Sequence, residues 1–138
     1  AESCTGGHIA HQVTSNAGAS DYFKGSIIAY HNQLKVKYLG VNQTTLDSFG
    51  AVSEETVKEM ALGALDALNT EVAVAVTGIA GPDGGSVDKP VGTVWICVAL
   101  KSGKLKTKKL QLRRDRLLNI RASSTMALIM LYGILMDE

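Results

Sequence analysis

Glu71-Val72-Ala73-Val74-Ala75-Val76-Thr77, running into Gly78-Ile79-Ala80-Gly81-Pro82-Asp83-Gly84-Gly85, is the stretch that decides the fold. The valine-rich run is too short for a helix and apolar throughout its interior. It predicts a strand buried on both faces, in the middle of a helix-covered sheet. Upstream, Ser53 is a good N-cap, Glu54 and Glu55 suit the first turn of a helix, and Val57, Met60, Ala61, Ala64, Leu65 and Leu68 form one stripe. Downstream, Gly92–Leu100 and Lys104–Leu112 predict a hairpin turning at Ser102-Gly103, and an apolar helix should run from about Arg116 to Met136. Nearer the start, Gly6 to Val13 can form a helix opening on Thr5, and Asn16 to Asp21 is turn-rich. Ser26–Tyr30 reads as a buried strand, while Leu34–Leu39 is too short to assign and ends at the cap-like Gly40. The expected fold is α/β, one domain with a mixed sheet, since the hairpin must be antiparallel.

Composition narrows the classes. A chain of 138 residues has room for one core, and 46% hydrophobic with 20% charged residues is ordinary globular usage. Fourteen Lys and Arg against 13 Asp and Glu leave a formal charge of +1, without the excess by which nucleic-acid binders engage phosphates, so no direct nucleic-acid partner is expected. Cys4 and Cys97 form no Cys-x-x-Cys motif, which fits a reducing, cytoplasmic setting. Ala122–Met136 is interrupted by Ser123, Ser124, Thr125 and Gly133 and falls short of the ~20 residues of a membrane span, so it reads as a buried helix. No charged leader with an apolar run opens the chain as given, which argues against secretion. The chain starts at Ala1, inside what looks like a motif, and an upstream segment is expected.

Several residues could carry chemistry. Ser3, Cys4 and Thr5 precede Gly6-Gly7 and a helix start, where backbone N–H groups suit an anion or oxyanion. Ser3 there is a candidate nucleophile; the alternative is that Ser3 or Thr5 only caps the helix. Lys35 follows the Ser26–Tyr30 strand and could be a desolvated base, or simply a solvated corner lysine. His8, His11 and His31 lack a carboxylate at ligand spacing, so no metal is expected. The Gly78–Gly85 loop has neither the P-loop Lys-Ser/Thr nor Gly-x-Gly-x-x-Gly spacing, and serves equally as a tight turn or a ligand cradle. Arg113, Arg114, Arg116 and Arg121 gather where the last helix begins, the end that normally prefers acids, and suggest a bound anion as readily as solvated side chains.

Taken in order, Ala1-Glu2-Ser3-Cys4-Thr5-Gly6-Gly7, Tyr30-x-Asn32-x-x-Lys35 with Leu39-Gly40-Val41, Gly50-Ala51-Val52-Ser53-Glu54-Glu55-Thr56, and Thr77 to Gly85 with Lys89-Pro90-Val91-Gly92-Thr93-Val94 resemble the CinA C-terminal domain family across nearly the whole chain. The resemblance implies a three-layer α/β/α sandwich with a mixed, mostly parallel sheet, preceded by an upstream helix and strand. It also implies an amidohydrolase that converts nicotinamide mononucleotide to nicotinate mononucleotide and ammonia in pyridine nucleotide recycling, without a cofactor. The family's Ser-Lys chemistry falls on Ser3 and Lys35, with Tyr30 as a hydroxyl that would relay or orient. Thr5, Gly6 and Gly7 would line the site, Asn32 and Thr77 would make polar contacts, and Gly81, Gly84 and Gly85 with Arg116 or Arg121 would face the nucleotide. In the family pattern the last helix opens Gly-Asp-Arg; here the residues are Arg114-Asp115-Arg116, followed by Arg121. The competing reading is a non-catalytic nucleotide- or protein-binding module linked to competence or DNA damage, and a third is hydrolysis of a different amide. A homo-oligomer is expected from the apolar faces of the last helix.

Overall fold

The central sheet is built from β1 (Val72–Gly78), β2 (Thr93–Leu100) and β3 (Leu105–Gln111) in the order β1-β2-β3, both pairs antiparallel, in a computed structural model that describes residues 1–137. The register sets Val76 against Ile96, Thr77 against Trp95, and Cys97 against Thr107. The expectation of a mostly parallel sheet is corrected. Parallel neighbours need a crossover element, whereas β1 reaches β2 through the helix-free glycine loop and β2 reaches β3 through Ser102-Gly103. Among the described residues parallel character is confined to isolated bridges from Glu2 to Ile28 and to Val76. Ser26–Tyr30, expected as a buried strand, is likewise reduced to a bridge: its neighbour is the short extended run Ala1–Ser3, and Ile28 is 48% exposed.

Helices cover both faces. On one side α4 (Glu54–Leu68) lies across β1 and β2, with α2 (Asn32–Leu39) and α3 (Gln43–Phe49) against it. On the other, α5 (Arg116–Met136) packs on the sheet and α1 (His8–Thr14) packs on α5. Strand alternation sorts β1 between the two cores: Ala73 and Ala75 join Leu39, Val57, Met60 and Ala61, whereas Val76 joins Ile96, Ala127, Met130 and Ile134. α5 is long and apolar enough to cross a membrane by length and composition, yet it presents Ala127, Met130 and Ile134 to the core of this domain.

Local chemistry explains the helix ends. Ser53 Oγ accepts from the Thr56 amide and Asp115 accepts from Leu118, each capping the helix it precedes. Gly40 closes α2 in the left-handed conformation, as its place in the sequence suggests. α1 begins later than the sequence implies, at His8 with Gly7 as N-cap, because Gly6 and Gly7 have φ of 59° and 101°, incompatible with helix.

One glycine sets where α2 lies. A Cβ on Gly63, in the middle of α4, would stand 1.7 Å from the Leu39 carbonyl oxygen. Only a missing side chain lets the end of α2 come this close. Alanine normally gains about 1 kcal/mol over glycine inside a helix, but backbone cannot yield as a side-chain tip can. Gly63→Ala should therefore lower unfolding stability, by about 1–3 kcal/mol as overpacking does, read by urea denaturation; a stability gain would refute this account of the α2–α4 contact.

Candidate active site

Ala1–Ser3 runs extended beside β1: the Ser3 amide donates to the Val76 carbonyl at 3.0 Å, and the Val76 amide to the Ala1 carbonyl at 3.1 Å. Because Glu2 pairs with Val76 in parallel, Ser3 lies beside Thr77, both side chains turned to the α2–α4 side. Lys35, in the first turns of α2, is 1% exposed. Its Nζ lies 3.1 Å from Ser3 Oγ, 2.9 Å from the Ala29 carbonyl oxygen and 3.1 Å from the Tyr30 carbonyl oxygen. Burial lowers the Lys35 pKa below the ordinary lysine value, since desolvation penalises the charged form. A neutral amine has two N–H donors and one lone pair. The ammonium form donates to all three oxygens; in the neutral form, with both donors directed at the two carbonyls, the lone pair would face the Ser3 hydroxyl.

Cys4, next in sequence, takes no comparable part. Burial pushes its thiol up to about 12, so it stays protonated and behaves as core.

The turn after Ser3 is held from within. The Glu2 carboxylate accepts from the Thr5 hydroxyl at 2.7 Å and from the Ile9 and Ala10 amides at 2.9 and 3.0 Å. The Thr5 side chain therefore does not cap α1; its hydroxyl is spent on Glu2, the His8 amide donates to the Thr5 carbonyl, and the Ile9 and Ala10 amides donate to the Glu2 carboxylate. Among the described residues the Thr5 and Gly7 amides donate to no protein acceptor, while the Gly6 amide donates to the Ser3 carbonyl.

At the rim, Arg116 donates to the Gly81 carbonyl at 2.7 Å and to the Tyr30 hydroxyl at 3.1 Å. Tyr30 thus gives its carbonyl to Lys35 and its phenol to Arg116. Both partners of the guanidinium are neutral, and no carboxylate pairs with it among the described residues. Arg121 is exposed one turn and more along α5, and Asn32 is exposed at the start of α2. The Thr77 hydroxyl donates to the Ala51 carbonyl at 2.8 Å, tying β1 to the loop before α4. The Gly81–Gly85 segment closes on Val91: Cβ atoms at Gly81 and Gly85 would meet Val91 at 2.5 and 2.7 Å. No group of three or more His, Cys, Asp or Glu able to hold a metal occurs among the described residues.

Two residues escaped the sequence reading. Glu2 was visible only as part of a motif, and Asn119, inside the expected Arg116–Met136 helix, was not singled out. Asn119, 1% exposed, donates from Nδ2 to the Ala80 carbonyl at 2.9 Å and to the Arg114 carbonyl at 2.8 Å, and accepts from the Arg114 amide. It fastens the glycine loop to the start of α5, one turn from Arg116.

The arrangement defines an α/β domain with a buried serine-lysine pair at one end of its sheet and an uncompensated arginine at the rim. The chain belongs to the CinA C-terminal domain family, which it matches over residues 1–135. It is 54% identical over 116 residues to the nicotinamide-nucleotide amidohydrolase PncC of Enterobacter agglomerans, covering 84% of this chain and 71% of that protein. A CinA-like protein of Cytophaga hutchinsonii is 52% identical over 124 residues, 90% of this chain but 29% of that protein. The chain thus spans under a third of that relative. The crystal structure of the competence/damage inducible protein CihA from Agrobacterium tumefaciens superposes with a TM-score of 0.94 at 42% identity, covering 96% of this chain and 81% of that one.

The lowered Lys35 pKa has a consequence for stability. Between its folded value and the higher unfolded one, the unfolded chain binds more protons, so this group makes stability rise with pH across that window. Lys35→Met should flatten that rise in pH-dependent denaturation below the ordinary lysine pKa; an unchanged slope would mean that Lys35 is not desolvated in solution.

Proposed function

We propose that this domain hydrolyses the carboxamide of nicotinamide mononucleotide to nicotinate mononucleotide and ammonia, through Ser3 and Lys35. The observation that carries the reading is the three-way coordination of Lys35 Nζ by Ser3 Oγ and the Ala29 and Tyr30 carbonyls inside a desolvated site. The amidohydrolase name of the Enterobacter relative supports the substrate class.

In this reading Lys35 takes the Ser3 proton as Oγ bonds to the carboxamide carbon, and the oxyanion is met by the unengaged Thr5 and Gly7 amides. Collapse breaks the C–N bond, and Lys35 returns the proton to the departing nitrogen, releasing ammonia. Water then attacks the acyl ester with Lys35 again as base; the acid leaves and Ser3 regains its proton. A neutral Lys35 serves twice here: it has a lone pair to offer, and it does not repel the cationic pyridinium.

Arg116 is the natural partner of the substrate phosphate, because two neutral acceptors orient its guanidinium without cancelling its charge. Tyr30 in this scheme orients Arg116 through its phenol and Lys35 through its carbonyl. Gly84 and Gly85 complete the loop on the nucleotide side. The expected homo-oligomer is supported by Ile129, Tyr132 and Met136, exposed along the outer side of α5, and size-exclusion chromatography reads it.

Ser3→Ala should reduce ammonia release from nicotinamide mononucleotide by at least about a thousandfold, as loss of a nucleophile does. Saturable binding without turnover by the unaltered protein would favour the non-catalytic module instead. Arg116→Ala should raise KM about 10- to 100-fold, the loss of a charge-assisted hydrogen bond, and Arg121→Ala should change it less. Activity should rise with pH through a lysine pKa displaced downward, and a pH–rate profile without that acid limb would argue against Lys35 as the base.

A further inference from the structure

We infer that Glu2 is the positioning residue of this site, holding the Ser3 turn from the opposite face of the sheet through its contacts with Thr5, Ile9, Ala10 and Ser26. The inference rests on the Ser3 reading above and adds a residue to it. Glu2 and Ser3 are adjacent along an extended run, so their side chains emerge on opposite faces: Ser3 toward Lys35, Glu2 toward α1. The carboxylate is 2% exposed and accepts four donors, the Thr5 hydroxyl at 2.7 Å, the Ile9 and Ala10 amides at 2.9 and 3.0 Å, and the Ser26 hydroxyl at 3.3 Å.

Each carboxylate oxygen accepts from a main-chain amide, Oε1 from Ile9 and Oε2 from Ala10, and an amide N–H can only donate, so a glutamine would set its own N–H against one of them. The contacts bracket the turn. Thr5 lies inside it, Ile9 and Ala10 begin the helix that follows, and Ser26 belongs to the segment leading to Ala29, whose carbonyl holds Lys35. Glu2 therefore fixes, from one point, the amides beyond Ser3 and the approach to the acceptor that orients the base. It also satisfies the Ile9 and Ala10 amides of α1, so these two are not free for a ligand, while the Thr5 and Gly7 amides are.

Glu2→Gln tests this, with two readouts: steady-state deamidation of nicotinamide mononucleotide, and the rate at which an aryl sulfonyl fluoride labels Ser3, followed by intact mass and peptide mapping. The expected result is a fall of about tenfold or more in kcat and in labelling rate, with KM within about twofold, and a lowered thermal midpoint that still leaves the protein folded at the assay temperature. Thr5→Val should give the same pattern and Thr5→Ser should restore both rates, a rescue that loss of general packing does not give. Labelling of Glu2→Gln at the unaltered rate would overturn the inference. If Glu2→Gln does not fold, Thr5→Val decides: labelling at the unaltered rate overturns it. Unaltered protein that is labelled at Ser3 yet releases no ammonia would refute the deamidase reading while leaving Glu2 to be judged on labelling alone. Absence of any Ser3 labelling in the unaltered protein would refute the positioning role with it.

Discussion

A lysine nitrogen with almost no access to water stands 3.1 Å from a serine oxygen, and two main-chain carbonyls occupy its remaining directions. Burying an ammonium without a carboxylate partner is costly, and desolvation resolves the cost by favouring the neutral amine. The neutral form is also the one that can take a proton from an alcohol. Much of the fold can be read as the means of keeping that nitrogen dry and aimed. α2 has to carry Lys35 down to the sheet, and it lies low enough because Gly63 of α4 gives the Leu39 carbonyl room. The segment Ala29–Tyr30 must present two carbonyls at one place, and its pairing with Glu2 fixes it there: the Ala29 amide donates to the Glu2 carbonyl at 2.9 Å.

Around this pair the structure separates functions by face and by distance. Ser3 and Thr77 lie on the α2–α4 side, Glu2 on the α1 side, and the glycine loop folds over the end of the sheet toward α5. Asn119 and Arg116, a turn apart on α5, differ at that loop: the amide bonds the backbone of Ala80 and Arg114, while the guanidinium reaches Gly81 and Tyr30. The buried amide makes three hydrogen bonds, so its desolvation is offset. Among the described residues the exposed guanidinium meets only neutral acceptors, the Gly81 carbonyl and the Tyr30 hydroxyl. The two side chains thus share one helix end in different surroundings, one buried and fully bonded, the other exposed.

The sequence made most of the secondary structure legible because the signals are local. The Ser53 cap and the acidic first turn mark α4, alternation and Ser102-Gly103 mark the β2–β3 hairpin, and the valine run marks β1. Strand direction was not local. The expectation of a mostly parallel sheet failed because direction depends on what crosses between strands, and the loop from β1 to β2 carries no helix. Ser26–Tyr30 misled for a related reason: it has a strand's composition, but only a bridge's worth of partner.

Residue chemistry, the bounds of α4 and α5 and the β2–β3 hairpin follow from the chain alone, since each is set by neighbours a few positions apart, whereas α2 and α3 do not. The sequence also singles out Ser3 and Lys35 as a possible pair without bringing them together. Their contact spans positions far apart in the chain, and so do the meeting of Arg116 with Tyr30 and of Asn119 with Ala80. Only the tertiary structure decides these, because a lowered lysine pKa and an oriented guanidinium are properties of burial and of converging backbone, which no local pattern encodes.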